Sequence, residues 1–201
     1  MAYLRNCDTT RTAADIAETT AYTIDLEKAS SASVQAVYSD SAPPAKNFAD
    51  GNVSVANDTI TISSHGFITG TKVAATSSGT LPAGLSTTNY WVIKSDANTI
   101  KLASSLANAS AGTAVNITAA AGGGTHTLTP AASTGNVCKL QEGNDSSNWT
   151  DVSGSTVTIA TTAGNAVWNY TGSSRYLRVL YTPSAGQVNL ALFTNLVKTS
   201  S

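Results

Sequence analysis

"RYLRVLYTPSAGQVNLALFTNLV" (residues 175–197) decides how this chain folds. In its first half Leu177, Val179 and Tyr181 fall on one side, with Tyr176, Arg178 and Leu180 on the other. That period of two is the mark of a strand. "TPSAGQ" supplies a turn, and a second run follows. There Val188, Leu190, Leu192 and Leu196 share one face, while Ala191, Phe193 and Val197 share the other. An antiparallel strand with one wet face alternates cleanly between apolar and polar. This one is apolar on both faces. Either it lies centrally in a sandwich with its back covered, or its second face packs on another subunit.

Working outward, strand patterns dominate. "AYTIDLE" (21–27) and "SVQAVYS" (33–39) precede a rigid loop marked by Pro43 and Pro44. Then come "VSVANDTITIS", "TKVAATS", "NYWVIKS", "NTIKLAS", "TAVNITA" and "THTLTP", separated by turns rich in Gly, Pro and Asx. This reads as a small all-β unit over residues 49–131. A second set of strands resumes with "NVCKLQEG", "STVTIATT" and "AVWNYTG". The fold class expected is all-β: an antiparallel, jelly-roll-like β-sandwich of residues 21–48 and 132–201, interrupted by the 49–131 module. Residues 1–20 are expected to form a short N-terminal arm, with Ala13, Ala14, Ile16 and Ala17 able to make one or two helical turns. If the module is an insertion, Asp50 and Pro130 should lie close together.

Composition narrows the function classes. Charged residues are 11% of the 201, and the net charge is −1. There is no Lys/Arg run, which argues against a nucleic-acid partner held by phosphate contacts. No window approaches a membrane span, and no signal-peptide core opens the chain. Without a secretory signal, Cys7 and Cys138 are expected as free thiols. Eight of the 23 charged residues crowd into positions 1–28.

Candidate chemistry is sparse. The two histidines are His65, in "SSHGFITG", and His126, in "GGGTHTLTP". An exposed His65 would serve as a base or metal ligand; the plainer reading is a turn residue, with Gly66 and Gly70 permitting the bend. Two histidines without Cys or carboxylate partners at suitable spacing make no zinc site, though a His65–His126 contact is geometrically open. There is no G-x-S-x-G elbow, no G-K-[ST] after the glycine run, and no calcium-loop spacing in "NDSSNWTD". That last segment reads as an Asx turn set by Asn144 and Asp145, with Trp149 tucked back onto the sandwich. Of Tyr90 and Trp91, one must point away from the module core, and that residue is the candidate for a partner or glycan contact. No cofactor is expected.

The runs Val34-Gln35-Ala36-Val37-Tyr38, Gly143-Asn144-Asp145-Ser146-Ser147-Asn148-Trp149-Thr150 and Arg175-Tyr176-Leu177-Arg178-Val179-Leu180-Tyr181-Thr182 resemble a β-sandwich of tailed-bacteriophage virion proteins. Gly143 and Ser146 depart from its S-N-D-G pattern. The stretch from Asp58 to Leu128 resembles a β module (D-T-I-T-I-x-x-H-G, D-A-N-T-I-K-L-A) found in phage fibre, baseplate and head-associated proteins. The resemblance implies a non-enzymatic structural protein of the virion, assembled in the host cytoplasm. Its leading form is a capsid decoration (cement) protein bound to the major capsid protein, self-associating as a trimer at lattice threefolds. The contact candidates are Tyr3, Leu4, Arg5, Arg11, Ile16, Ala191, Phe193 and Val197. The alternative is a tail-fibre or baseplate adhesin that binds host glycan through Tyr90 or Trp91.

Overall fold

The computed structural model describes residues 3–27, 29, 31–120, 122–159 and 161–199, with side chains described from residue 13 to residue 197. The strands in chain order are β1 (Tyr3–Ile16), β2 (Thr20–Asp25), β3 (Ser31–Asp40), β4 (Lys46–Phe48), β5 (Val53–Ser54), β6 (Thr59–Thr61), β7 (Lys72–Ser77), β8 (Asn89–Lys94) and β9 (Thr99–Ala103). They continue with β10 (His126–Pro130), β11 (Asn136–Gly143), β12 (Thr150–Asp151), β13 (Val157–Ile159), β14 (Gly164–Tyr170), β15 (Tyr176–Thr182) and β16 (Val188–Thr199). A short α-helix, α1 (Leu106–Ser110), is capped by the Ser105 hydroxyl, which accepts the Asn108 N–H, and a 3-10 turn spans Asp50–Asn52.

The chain is an all-β sandwich. One sheet has the order β1-β16-β3-β14; the facing sheet has the order β12-β11-β15-β2, with β13 also pairing β11. β1, β3, β14 and β16 alternate in sequence with β2, β11 and β15 of the other sheet. This is the double-sheet jelly-roll arrangement. The alternation read from 175–197 fixes which side chains enter the core. Leu177, Val179 and Tyr181 of β15 meet Val188, Leu190 and Leu192 of β16, with Val34, Ala36, Leu140 and Trp168. β16 lies centrally, between β1 and β3.

A third, seven-stranded sheet, β4-β10-β7-β8-β9-β6-β5, is built from residues between β3 and β11. It has a core of its own around Phe48, Ile60, Phe67, Val73, Val92, Ile100 and Leu128. Its first and last strands pair, with Lys46 opposite Leu128 and Phe48 opposite His126. Chain entry and exit are therefore neighbours. The sheet takes in Lys46–Phe48, three residues earlier than the 49–131 boundary drawn from sequence, because Phe48 supplies core to it.

Several expectations are corrected. Residues 13–17 make no helical turn: β1 runs to Ile16, paired along its length with β16. The first segment is thus an edge strand and not an arm. Its residues gain sheet hydrogen bonds and bury Ile16 and Ala17, which an isolated helical turn would leave wet. "TAVNITA" forms no strand. Its backbone is tied to neighbours singly: the Ile117 N–H donates to the Asp58 carboxylate at 2.7 Å and the Val115 N–H to the Leu102 carbonyl. The helix α1 lies where a turn was read.

Candidate functional site

The two histidines do not meet, since each has both ring nitrogens committed elsewhere. His65 is fully buried. Its Nδ1 accepts the Phe67 N–H at 3.0 Å, so Nε2 carries the proton and donates to the Asp96 carbonyl at 2.9 Å. Burial pushes its pKa down. The ring therefore serves as a neutral bracket inside the 63–70 loop, stacked on Phe67.

His126 is also fully buried. Its Nε2 lies 2.7 Å from an Asp50 oxygen and its Nδ1 2.8 Å from the Ser77 hydroxyl. Sequence reading did not foresee this Ser–His–Asp line, because its members are scattered over 76 positions. The arrangement is a clip. The Ser77 hydroxyl already accepts the Gly79 N–H, and the second Asp50 oxygen accepts the Gly123 N–H. Phe48 packs on the imidazole. The hydrogen bond from His126 holds the Asp50 carboxyl below its usual range. The clip ties the start of the module to the ends of β7 and β10.

Gly66 and Gly70 prove to face the junction between module and jelly roll. Both have positive φ, +75° and +90°. A Cβ on Gly70 would sit 2.6 Å from the Ala17 carbonyl oxygen, and one on Gly66 3.2 Å from Pro43. Beside them lies Gln187, 1% exposed. Its amide donates to the Ser41 carbonyl at 3.0 Å and approaches the Gly66 carbonyl and Asp15. Its side-chain oxygen accepts the Thr71 hydroxyl at 2.9 Å, and its backbone carbonyl accepts the Ser133 hydroxyl at 2.7 Å. One buried glutamine thus joins β1, the β3 exit, the 63–71 loop and the chain returning from β10. A lone Gln in "AGQVNL" gives no sequence signal of this.

The jelly roll has two unlike outer faces. On the β11–β15 sheet, Arg178 stacks over Trp149 at 4.5 Å and donates to Gln141, Gln141 donates to Asp151, and Lys139 pairs with Asp151 at 2.8 Å. Trp149 is half-buried on this outer face, outside the core. The Asp145 carboxylate accepts the N–H groups of Ser147 and Asn148, making the Asx turn, and these bonds with the Asn148 amide hold its pKa low. Asn144 accepts the Arg175 N–H. On the other sheet, the outward residues of β3 (Ser33, Gln35, Val37, Ser39), β14 (Asn165, Val167, Asn169) and β16 (Asn189, Ala191, Phe193, Asn195, Val197) include no charge, and at the β1 edge the Asp15 carboxylate accepts the Asn189 amide at 3.1 Å. Val37 and Val167 are 41% and 54% exposed, and the Asn195 oxygen is buried without a partner.

Of the other contact candidates, Tyr3, Leu4, Arg5 and Arg11 lie on β1 opposite Thr199, Lys198, Val197 and Leu192, and their side chains fall outside the described residues, as does that of Cys7. Ile16 is in the jelly-roll core, so it is no contact residue. Cys138 is a free, buried thiol, pushed up to about 12 by burial.

In the module, Tyr90 points inward and its hydroxyl accepts the Ser86 N–H. Trp91 points outward, half-buried, with the Lys72 ammonium 5.4 Å from its ring. A cleft of about 420 Å³ beside the 143–150 turn holds Glu142 and Asp145. Glu142 is committed to the Tyr170 and Ser174 hydroxyls, and Asp145 to its turn. Among the described residues no group of three or more His, Cys, Asp or Glu converges on a metal position, and no helix is long and apolar enough to cross a membrane. No model of a known protein family matches this chain, and no curated protein matches it.

Proposed function

We propose that this chain is a phage capsid decoration protein, docking on the capsid through the outer face of β16, β3 and β14. The observation that carries the reading is the contrast between the two outer faces of one sandwich. Charge depletion around an apolar centre is the compositional signal of a buried interface. The charged network on the opposite sheet suits solvent. Docked this way, the major capsid protein is the partner, and the separate core of the module lets it stand clear as an added surface.

A second reading rests on Trp91. An outward indole capped by a lysine is a surface on which a sugar ring stacks, as a tail adhesin would require. One pair of substitutions separates the two. Val37→Lys places a charge in the charge-free face at an exposed position, so the fold is kept while binding to capsids stripped of this protein falls at least tenfold. Trp91→Ala leaves that binding unchanged. If instead Trp91→Ala abolishes attachment to host cells and Val37→Lys has no effect on capsids, the adhesin reading replaces the first.

A further inference from the structure

The sheets of the described chain end in seven edge strands, and six are blunted. β4, β5, β12 and β13 are two or three residues long. β1 carries two register shifts, around Arg11. β2 ends in Asp25, ion-paired with Arg175. These are the devices by which edges escape pairing with other chains.

β14 has none of them. Its sequence, Gly-Asn-Ala-Val-Trp-Asn-Tyr, contains no charge and no proline. It pairs with β3 over seven consecutive positions, Gly164 opposite Tyr38 through Tyr170 opposite Ala32, without a bulge. Among the described residues no strand pairs with its other side. At its centre is Val167, the most exposed large apolar side chain among the described residues, flanked by exposed Asn165 and Asn169. An edge of this kind is a template for strand addition.

We infer that β14 pairs antiparallel with β14 of a second copy of this chain across a twofold axis at Val167. The occupant follows from the strand itself. Centring on Val167 uses all seven residues. It sets Val167 against Val167, Asn165 against Asn169 and Gly164 against Tyr170 of the second copy, so apolar meets apolar, amide meets amide, and the bulkiest end residue meets the smallest. No charge is buried, and a twofold contact closes, leaving no edge for a third copy. The product is one sheet of eight strands, with β1 at both outer edges, in which the two charge-free faces become continuous. A pair replaces the threefold grouping expected from the resemblance. The inference concerns pairing alone and holds whether or not that face docks on a capsid.

Light scattering on the purified full chain should show a dimer whose share rises with concentration. Val167→Lys, at an exposed position, should give a monomer with unchanged circular dichroism. Directly opposed residues in antiparallel strands have Cα atoms about 4.5–5.5 Å apart, within disulfide reach. In a Cys7→Ser background, Val167→Cys should therefore cross-link to itself on mild oxidation. Asn165→Cys should cross-link only when mixed with Asn169→Cys. A chain that stays monomeric at the highest concentration, or an oligomer of any size that survives Val167→Lys, overturns the pairing. Self-cross-linking of Asn165→Cys without that of Val167→Cys overturns the twofold at Val167. A wild-type monomer that captures a strand of another virion protein at β14 assigns the edge to that partner instead.

Discussion

At His65 a residue type that invites catalytic readings is used for its two nitrogens and its shape. With Nδ1 accepting and Nε2 donating inside the protein, removal leaves two buried backbone groups unpaired beside a cavity. His65→Ala should cost about 2–4 kcal/mol of stability, measured by denaturant unfolding at pH 7. The pH dependence has a definite sign. Burial sets the folded pKa below the unfolded value of about 6.5, so the unfolded chain takes up the proton first. Stability due to His65 is whole above that value and declines as the pH falls from it. Wild type should lose thermal stability between pH 7 and 5 more steeply than His65→Gln, which starts lower but does not titrate. Equal slopes would contradict a buried neutral imidazole. The Asp50 carboxyl, held low by His126, adds a further loss as the pH falls below about 3.9. The turn role of His65 was legible from the two glycines that follow it, Gly66 and Gly70. The partners of His126 were not, since Asp50 and Ser77 meet it only through sheet pairing.

Among the elements, the 63–71 loop carries the most consequence, because its glycines serve two purposes at once. A positive φ alone strains any other residue by about 1–2 kcal/mol. At Gly112, where φ is +73° and a Cβ would meet open space, that is the whole effect of Gly112→Ala. At Gly70 the Cβ would also collide with the Ala17 backbone. Gly70→Ala should therefore destabilise by roughly 2–4 kcal/mol, and should loosen the module from the jelly roll. Raised amide exchange at Thr71 and Ser41, absent in Gly112→Ala, is the readout. Equal behaviour of the two variants would show that the junction does not depend on this close approach. Strands with alternating patterns, such as β8, β9 and β15, were readable from sequence, and so was β16 from its apolar residues on both faces. β1 was not, because its polar and charged residues show no period, and its conformation is imposed by pairing with β16.

For the molecule as a whole, the two cores set what can be removed. Residues 3–16 and 20–25 form an edge strand of each jelly-roll sheet, so deletion of residues 1–28 should abolish cooperative folding and not merely binding. Replacing residues 46–130 by a short Gly/Ser link should leave a folded jelly roll, since β4 and β10 are paired neighbours and the module core is separate. Circular dichroism with thermal unfolding distinguishes these outcomes, and a folded 1–28 deletion would restore the arm reading. By itself the sequence determined the all-β class, the inward faces of the principal strands and the interruption of one set of strands by another. These follow from period-two alternation and turn residues, which act locally. Tertiary structure alone decided that β1 is a strand, that Gln187 seals the junction, that the histidines are brackets, and that the outward residues of β3, β14 and β16 form one face without charge. Each of these depends on which distant segments become neighbours, and no local pattern encodes that.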